Sequence, residues 1–326
     1  MNSSAVISGL TAVALGLLVS PLLSASISWM VRRFRPGAGT PMRQHVLVAL
    51  GTSLLAGSFV AASLTYQPMA IPEVQPGVFW DKVRLGHQLV LIGLLVLASG
   101  IDFREYLIPD EITVPGTIYA VLMATATGHM QIEHVWIDWT QAIPGLQGPY
   151  IPQWIADHPH WHGLVWSLCG GIAGGGITWL VRFVASKILG QEALGFGDVT
   201  LMTMIGCFVG WQAVIFILAI APLCGIVIGI INRILGGKPY VPYGPYLSAA
   251  AIVVLFTWRW LWMFELKSGE WSREDVFAIR NLFGDGIALA MIAGIALAAL
   301  SILLGLLRLY RQFRIGRRSS SEHKGY

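Results

Sequence analysis

Charged side chains are scarce in this chain. Asp, Glu, Lys and Arg make up 12% of its 326 residues, about half the share of an ordinary soluble domain. So few charges cannot clothe one large water-soluble core, and the mean hydropathy of +0.67 describes a polytopic membrane protein. An excess of one sign is missing too: 21 Lys+Arg against 17 Asp+Glu leave +4. With so small a net charge, the pI near 9.0 is weak evidence for nucleic-acid binding. Only three cysteines occur, Cys169, Cys207 and Cys224, all in apolar runs without CxxC spacing. That excludes a disulfide framework and a zinc site of the usual kind. The glycine runs Gly170-Gly171 and Gly174-Gly175-Gly176 are not followed by GK[ST], so they are not phosphate loops; small residues there allow close helix packing. No Ser-His-Asp motif, internal repeat or Pro/Ser-rich linker is present.

What the chain has in quantity is long apolar runs. A crossing helix needs about 20 apolar residues, and nine stretches qualify, near 5–31, 46–66, 85–101, 112–127, 163–181, 195–210, 212–231, 246–264 and 287–307. The expected fold is all-α, a transmembrane helix bundle of eight to nine spans. No Lys or Arg precedes the first run and Arg32, Arg33 and Arg35 follow it, the reverse of a secretory signal, so it is read as a retained helix. The run from Gly195 to Leu235 is too long for one crossing and is expected to break near Gly210-Trp211-Gln212.

Lys and Arg accumulate in cytoplasmic loops. An outside N-terminus puts Arg32, Arg33, Arg35, Arg43, Arg104, Arg182, Lys187, Arg233, Lys238 and the six basic residues of the tail inside, 15 of 21. The expected location is therefore the cytoplasmic membrane, multi-pass, with a cytoplasmic C-terminus whose basic tail meets anionic lipid. Three regions are expected: 1–84 with two spans and a short basic loop, a six-span core at 85–264, and 265–326 with an outward loop, the last span and the tail.

A carboxylate deep in a span costs about 2.5–3.5 kcal/mol, so acids at span ends are informative. Asp102, in GIDFREYLIPDEIT, ends the third span; Asp198, in LGFGDVTLM, starts the sixth. The topology drawn from Lys and Arg puts both at the cytoplasmic face. Two carboxyls sharing a site cannot both ionise easily. One keeps its proton and polarises a peptide carbonyl while the other activates water; neither metal nor other cofactor is needed. Gly195 and Gly197 leave room for an extended peptide beside Asp198. The bland alternatives are an interfacial acid balanced by Arg104 and a helix N-cap.

A third element follows at 238–251, KPYVPYGPYLSAAA. With it the chain resembles the type IV prepilin peptidase family, membrane-embedded aspartic proteases of the GxGD type. The resemblance rests on Asp102 with Ile108-Pro109-Asp110, on Gly195-Phe196-Gly197-Asp198, and on Pro242-Tyr243-Gly244-Pro245-Tyr246, in that order across 85–264. It implies an endopeptidase removing the short basic leader of prepilin or pseudopilin precursors on the cytoplasmic side, usually after a glycine. Asp102 and Asp198 would be the catalytic pair, with Gly195, Gly197, Pro242, Gly244 and Pro245 at the substrate approach. Asp110 would cap the fourth span. Many relatives have Lys where Thr200 stands. Bifunctional ones carry paired CxxC motifs and a methyltransferase activity after the first span, whereas the loop at 32–45 has no cysteine, so methyl transfer is not expected. A transporter or proton relay, or an inactive pilus or secretion assembly factor, are the competing readings. No signal sets the oligomeric state.

Two further patterns invite chemistry. His158, His160 and His162 alternate as metal ligands on a strand would, but lie on the opposite face and fit an interfacial loop. Leu282-Phe283-Gly284-Asp285-Gly286 imitates a second GD motif without a partner acid and reads as a turn.

Overall fold

The computed structural model describes residues 42–137, 152–192, 194–236, 242–264 and 278–322. Its elements are helices α1 Met42–Thr65, α2 Val78–Glu105, α3 Asp110–Thr127, α4 Gln153–Asp157, α5 Pro159–Leu189, α6 Phe196–Ile234, α7 Gly244–Trp262, α8 Ala278–Gly284 and α9 Gly286–Glu322. The all-α class expected from composition holds. Among the described residues four helices are long and apolar enough to cross a membrane: α2, α5, α6 and the stretch Gly286–Leu306 of α9. The nine expected crossings are not all reproduced. The stretch at 5–31 and most of the loop at 32–45 lie outside the described residues. Those at 112–127 and 246–264 form helices of 18 and 19 residues; α3 opens on Asp110 and Glu111 and contains Pro115, which lowers its apolar content.

The two stretches at 195–210 and 212–231 form the two halves of α6, which meet at a kink with non-helical backbone at Gly210, where the sequence is expected to break. Gly210 has φ +79°, and a Cβ there would press on the indole of Trp166. Both facts require glycine. The bend aims the next two side chains at a neighbouring loop: Trp211 Nε1 donates to the Val135 carbonyl at 2.7 Å, and Gln212 Nε2 to that of His134 at 2.6 Å.

Helices α5 and α6 touch backbone to backbone. A Cβ on Gly170 would collide with the Gly206 carbonyl oxygen, and one on Gly206 with that of Gly170. Ser167, one turn earlier, donates its hydroxyl to the Cys207 carbonyl at 2.9 Å. With little hydrophobic drive between helices in lipid, such close packing and buried hydrogen bonds hold spans together. The glycine runs are the structural seam anticipated for them.

At the end of the bundle opposite Asp102 and Asp198, polar groups are buried in the loops. Glu73 and Arg280 form an ion pair at 2.9 Å, with side chains 3% and 5% exposed. Burial raises the pKa of Glu73, with Arg280 opposing. It raises that of the fully buried Glu133 well above the usual carboxylate value, although the His134 amide donates to this carboxylate at 2.9 Å. The histidines are expected in an interfacial loop; His158 is instead the N-cap of α5, and His160 and His162 are helical. A helix does not alternate side chains between two faces, so the three do not form one row. His160 Nδ1 is 2.9 Å from the Thr125 carbonyl, and His162 Nε2 accepts from the Val135 amide at 3.2 Å. Asp285, read as part of a turn, accepts from the amides of Ile287 and Ala288 at the start of α9.

Replacing Gly206 by Val should cost about 1–3 kcal/mol or more by overpacking the α5–α6 seam, read as a lower unfolding midpoint in detergent. Glu133, with its pKa raised on folding, favours the folded state below its unfolded value of 4.5; that contribution fades as pH rises through the folded value. Glu133→Gln should therefore flatten the decline of the unfolding midpoint with rising pH, followed by tryptophan fluorescence.

Candidate active site

Helix α2 ends because Tyr106 takes a left-handed conformation at φ 55°, its amide bonding back to the Asp102 carbonyl at 2.9 Å. Asp102 thus occupies the last turn, and its residue is 4% exposed. The chain then runs through Ile108 to Pro109, whose extended backbone forms the N-cap of α3. This corrects one expectation. Asp110 is the first residue inside α3 and makes no capping hydrogen bond; its charge still suits a helix N-terminus.

Helix α6 starts beyond Gly195, which has extended dihedrals. Asp198, the third helical residue, folds back so that its Oδ2 accepts the Gly195 amide at 3.2 Å, the carboxylate half of a capping box. Asp198 is 6% exposed. The N-cap is therefore Gly195 and not Asp198, whose carboxylate caps from the third helical position. Thr200 turns its hydroxyl onto the Gly197 carbonyl at 3.1 Å.

The third wall is the start of α7. Pro245 stands in the first turn, where the missing amide costs nothing. Gly244 backs directly onto Asp102: a Cβ there would collide with Asp102 Oδ2 and come within 2.8 Å of Ile108 Cδ1. Its backbone amide faces the same carboxylate. Ile108 also fills the space beside Gly197, where an added Cβ would meet it at 3.0 Å. One isoleucine thus wedges between the starts of α6 and α7 and spaces the two acids.

Asp102 and Asp198 consequently lie within electrostatic reach of each other. Tyr243, just before α7, is a neighbour that reading the sequence did not single out. Burial raises its pKa, and the Asp198 charge adds to this. Its only signal was its place inside Pro-Tyr-Gly-Pro-Tyr. Of the expected site residues, Asp102, Gly195, Gly197, Asp198 and Gly244 come together. Pro242 is buried beside Tyr243, and Pro245 turns toward a neighbouring apolar groove with Phe103. Among the described residues no three His, Cys, Asp or Glu side chains are grouped to hold a metal ion.

The chain matches the type IV leader peptidase family over residues 89–230. It is 28% identical over 239 residues to the prepilin leader peptidase/N-methyltransferase of Aeromonas salmonicida, which covers 72% of the chain. The protein of the same name from Xanthomonas campestris is 28% identical over 234 residues, 70% of the chain. That from Escherichia coli K12 is 26% identical over 165, or 50%. The chain spans 65% of the length of the first two and 59% of the third. No solved structure matches.

Gly244→Ala should lower stability by about 1–3 kcal/mol through overpacking against Asp102 and Ile108. Gly229→Ala, at a helical position with open space around it, should leave stability unchanged or raise it by up to about 1 kcal/mol. Paired thermal unfolding in one detergent distinguishes the two.

Proposed function

The chain belongs, through residues 89–230, to the type IV leader peptidase family, and from that premise we propose that it is a membrane-embedded aspartic endopeptidase. Its substrates are type IV prepilin or pseudopilin precursors, from which it removes the basic leader at the cytoplasmic face of the inner membrane. The observation that supports this reading is that two buried acids borne by separate helices, Asp102 on α2 and Asp198 on α6, lie within electrostatic reach of each other. The orientation rests on the distribution of Lys and Arg.

The reaction follows from where each acid stands on its helix. Asp198 takes a backbone amide at the positive end of α6 and is placed to carry negative charge. Asp102, at the negative end of α2, carries the proton the pair shares. A water between them loses a proton to Asp198 as it attacks the scissile carbonyl, while Asp102 donates a hydrogen bond to the carbonyl oxygen. Collapse of the tetrahedral adduct delivers a proton to the departing amine. Gly197 and Gly244 let Ile108 and Asp102 pack against the two helix starts, and of the three glycines only Gly195 has no side chain but that of Asp198 near the place of a Cβ. The peptide must arrive extended. A helical peptide has its carbonyls already engaged.

Methyl transfer, part of the relatives' printed name, is left out of this proposal. Cys169, Cys207 and Cys224 belong to the long apolar helices α5 and α6, and the loop at 32–45 has none. A proton relay has less support, since its acids belong at mid-membrane depth whereas both aspartates lie in terminal turns.

Asp102→Asn and Asp198→Asn should each lower kcat by at least about 10²-fold while the protein still inserts and melts as before. Leader removal from a co-expressed precursor, read by mass spectrometry of its N-terminus, is the measurement. Normal processing by either variant would sink the assigned pair.

A further inference from the structure

Beside the aspartates an apolar groove of about 460 Å³ opens between α1, α2 and α7, with Ile228 of α6 at its edge. Its size falls in the usual range for ligand pockets, about 300–1,000 Å³. The upper end adjoins the candidate site directly. Phe103, the residue after Asp102, and Pro245, the residue after Gly244, both line it. From there it follows one face of each helix away from the acids, through Ser99 to Leu95 on α2 and through Ser248 to Ile252 on α7. Seven residues of α7 at 1.5 Å each make this about 10 Å of descent.

The walls combine two properties. They are apolar, yet several lining residues are small, among them Gly51, Gly100 and Ala249, as at surfaces where a second helix approaches closely. Ser248, 3% exposed, stands in the wall, and its hydroxyl has no hydrogen-bond partner. A hydroxyl in a helix ordinarily bonds to the carbonyl four residues back, as Thr257 does on the same helix. An unmade hydrogen bond in an apolar wall costs free energy, which a guest presenting a backbone carbonyl would recover after one side-chain rotation.

We infer that this groove is the docking site for the first two turns of the apolar helix that follows the scissile bond in the substrate. The inference rests on the proposed peptidase activity. A peptide bond held between Asp102 and Asp198 has its downstream residues beside Phe103 and Pro245, and the groove leads them into the membrane. Ser248, one turn below Gly244 on α7, meets a carbonyl of the unwound start of that helix. The groove thus fixes which bond is cut by gripping the part of the substrate that stays behind.

The experiment places a photo-crosslinking benzoylphenylalanine at Ala249, with Leu223, exposed on α6, as control, in the full chain carrying Asp198→Asn. The probe is an intact pilin-like precursor in lipid nanodiscs. Crosslinks from position 249, and not 223, to the first two apolar turns after the leader are expected. Crosslinks from 249 only to lipid, only to residues 1–41 of the same chain, or to nothing would overturn the inference. In the otherwise unaltered chain, Ala249→Leu should raise KM for the precursor about tenfold with kcat within twofold. An unchanged KM, or a loss confined to kcat, counts against the groove. Should the unaltered chain fail to cleave the precursor at all, the peptidase reading falls first and the groove's assigned guest with it.

Discussion

A missing side chain at Gly244 holds the candidate site in its present form. Helix α7 can start directly against Asp102 only because no Cβ intervenes, and the same contact lets Ile108 reach both Gly244 and Gly197. Remove that close approach and the three helix ends separate, taking the acids with them. Burying two carboxyls near each other is unfavourable unless surrounding groups compensate. Here the Gly195 amide and the facing Gly244 amide do so. The rest of the bundle serves to keep those ends in register, through the glycine seam of α5 and α6 and the buried Glu73–Arg280 pair at the far end.

Much of this was legible in the sequence because membranes impose simple accounting. An acid in an apolar run is costly, so Asp102 and Asp198 stood out without any structure. The apolar run from Gly195 to Leu235 exceeds a bilayer, so the kink at Gly210 could be placed beforehand. What sequence did not disclose concerns contact rather than pattern. That Gly244 abuts Asp102, and that Ile108 spaces two helix starts, depends on residues 89 to 142 positions apart. The stretch with the three histidines was expected to be a loop, whereas Pro159, at the first position of α5, starts a helix there. The capping role given to Asp110 failed by one residue, since the proline before it already occupied the N-cap.

The two ends of the molecule solve opposite problems. Near the aspartates, polar groups are few and aimed at a shared space, leaving room for a visitor. At the other end, polar groups are many, and His134, His162, Gln212 and Trp258 all bond to loop carbonyls or amides. The loop from His129 to Ile137 is thereby tied to α5, α6 and α7, so that helices of different length share a common floor.

The placement of Asp102 in the final turn of α2 has one more consequence. One turn of helix rises about 5.4 Å, so in the proposed orientation a solvent molecule drawn from the headgroup layer meets this acid without travelling through the bundle. Hydrolysis of the proposed kind then needs no aqueous conduit across the bilayer. The seams below can stay dry, and the ion gradient across the membrane is spared a leak.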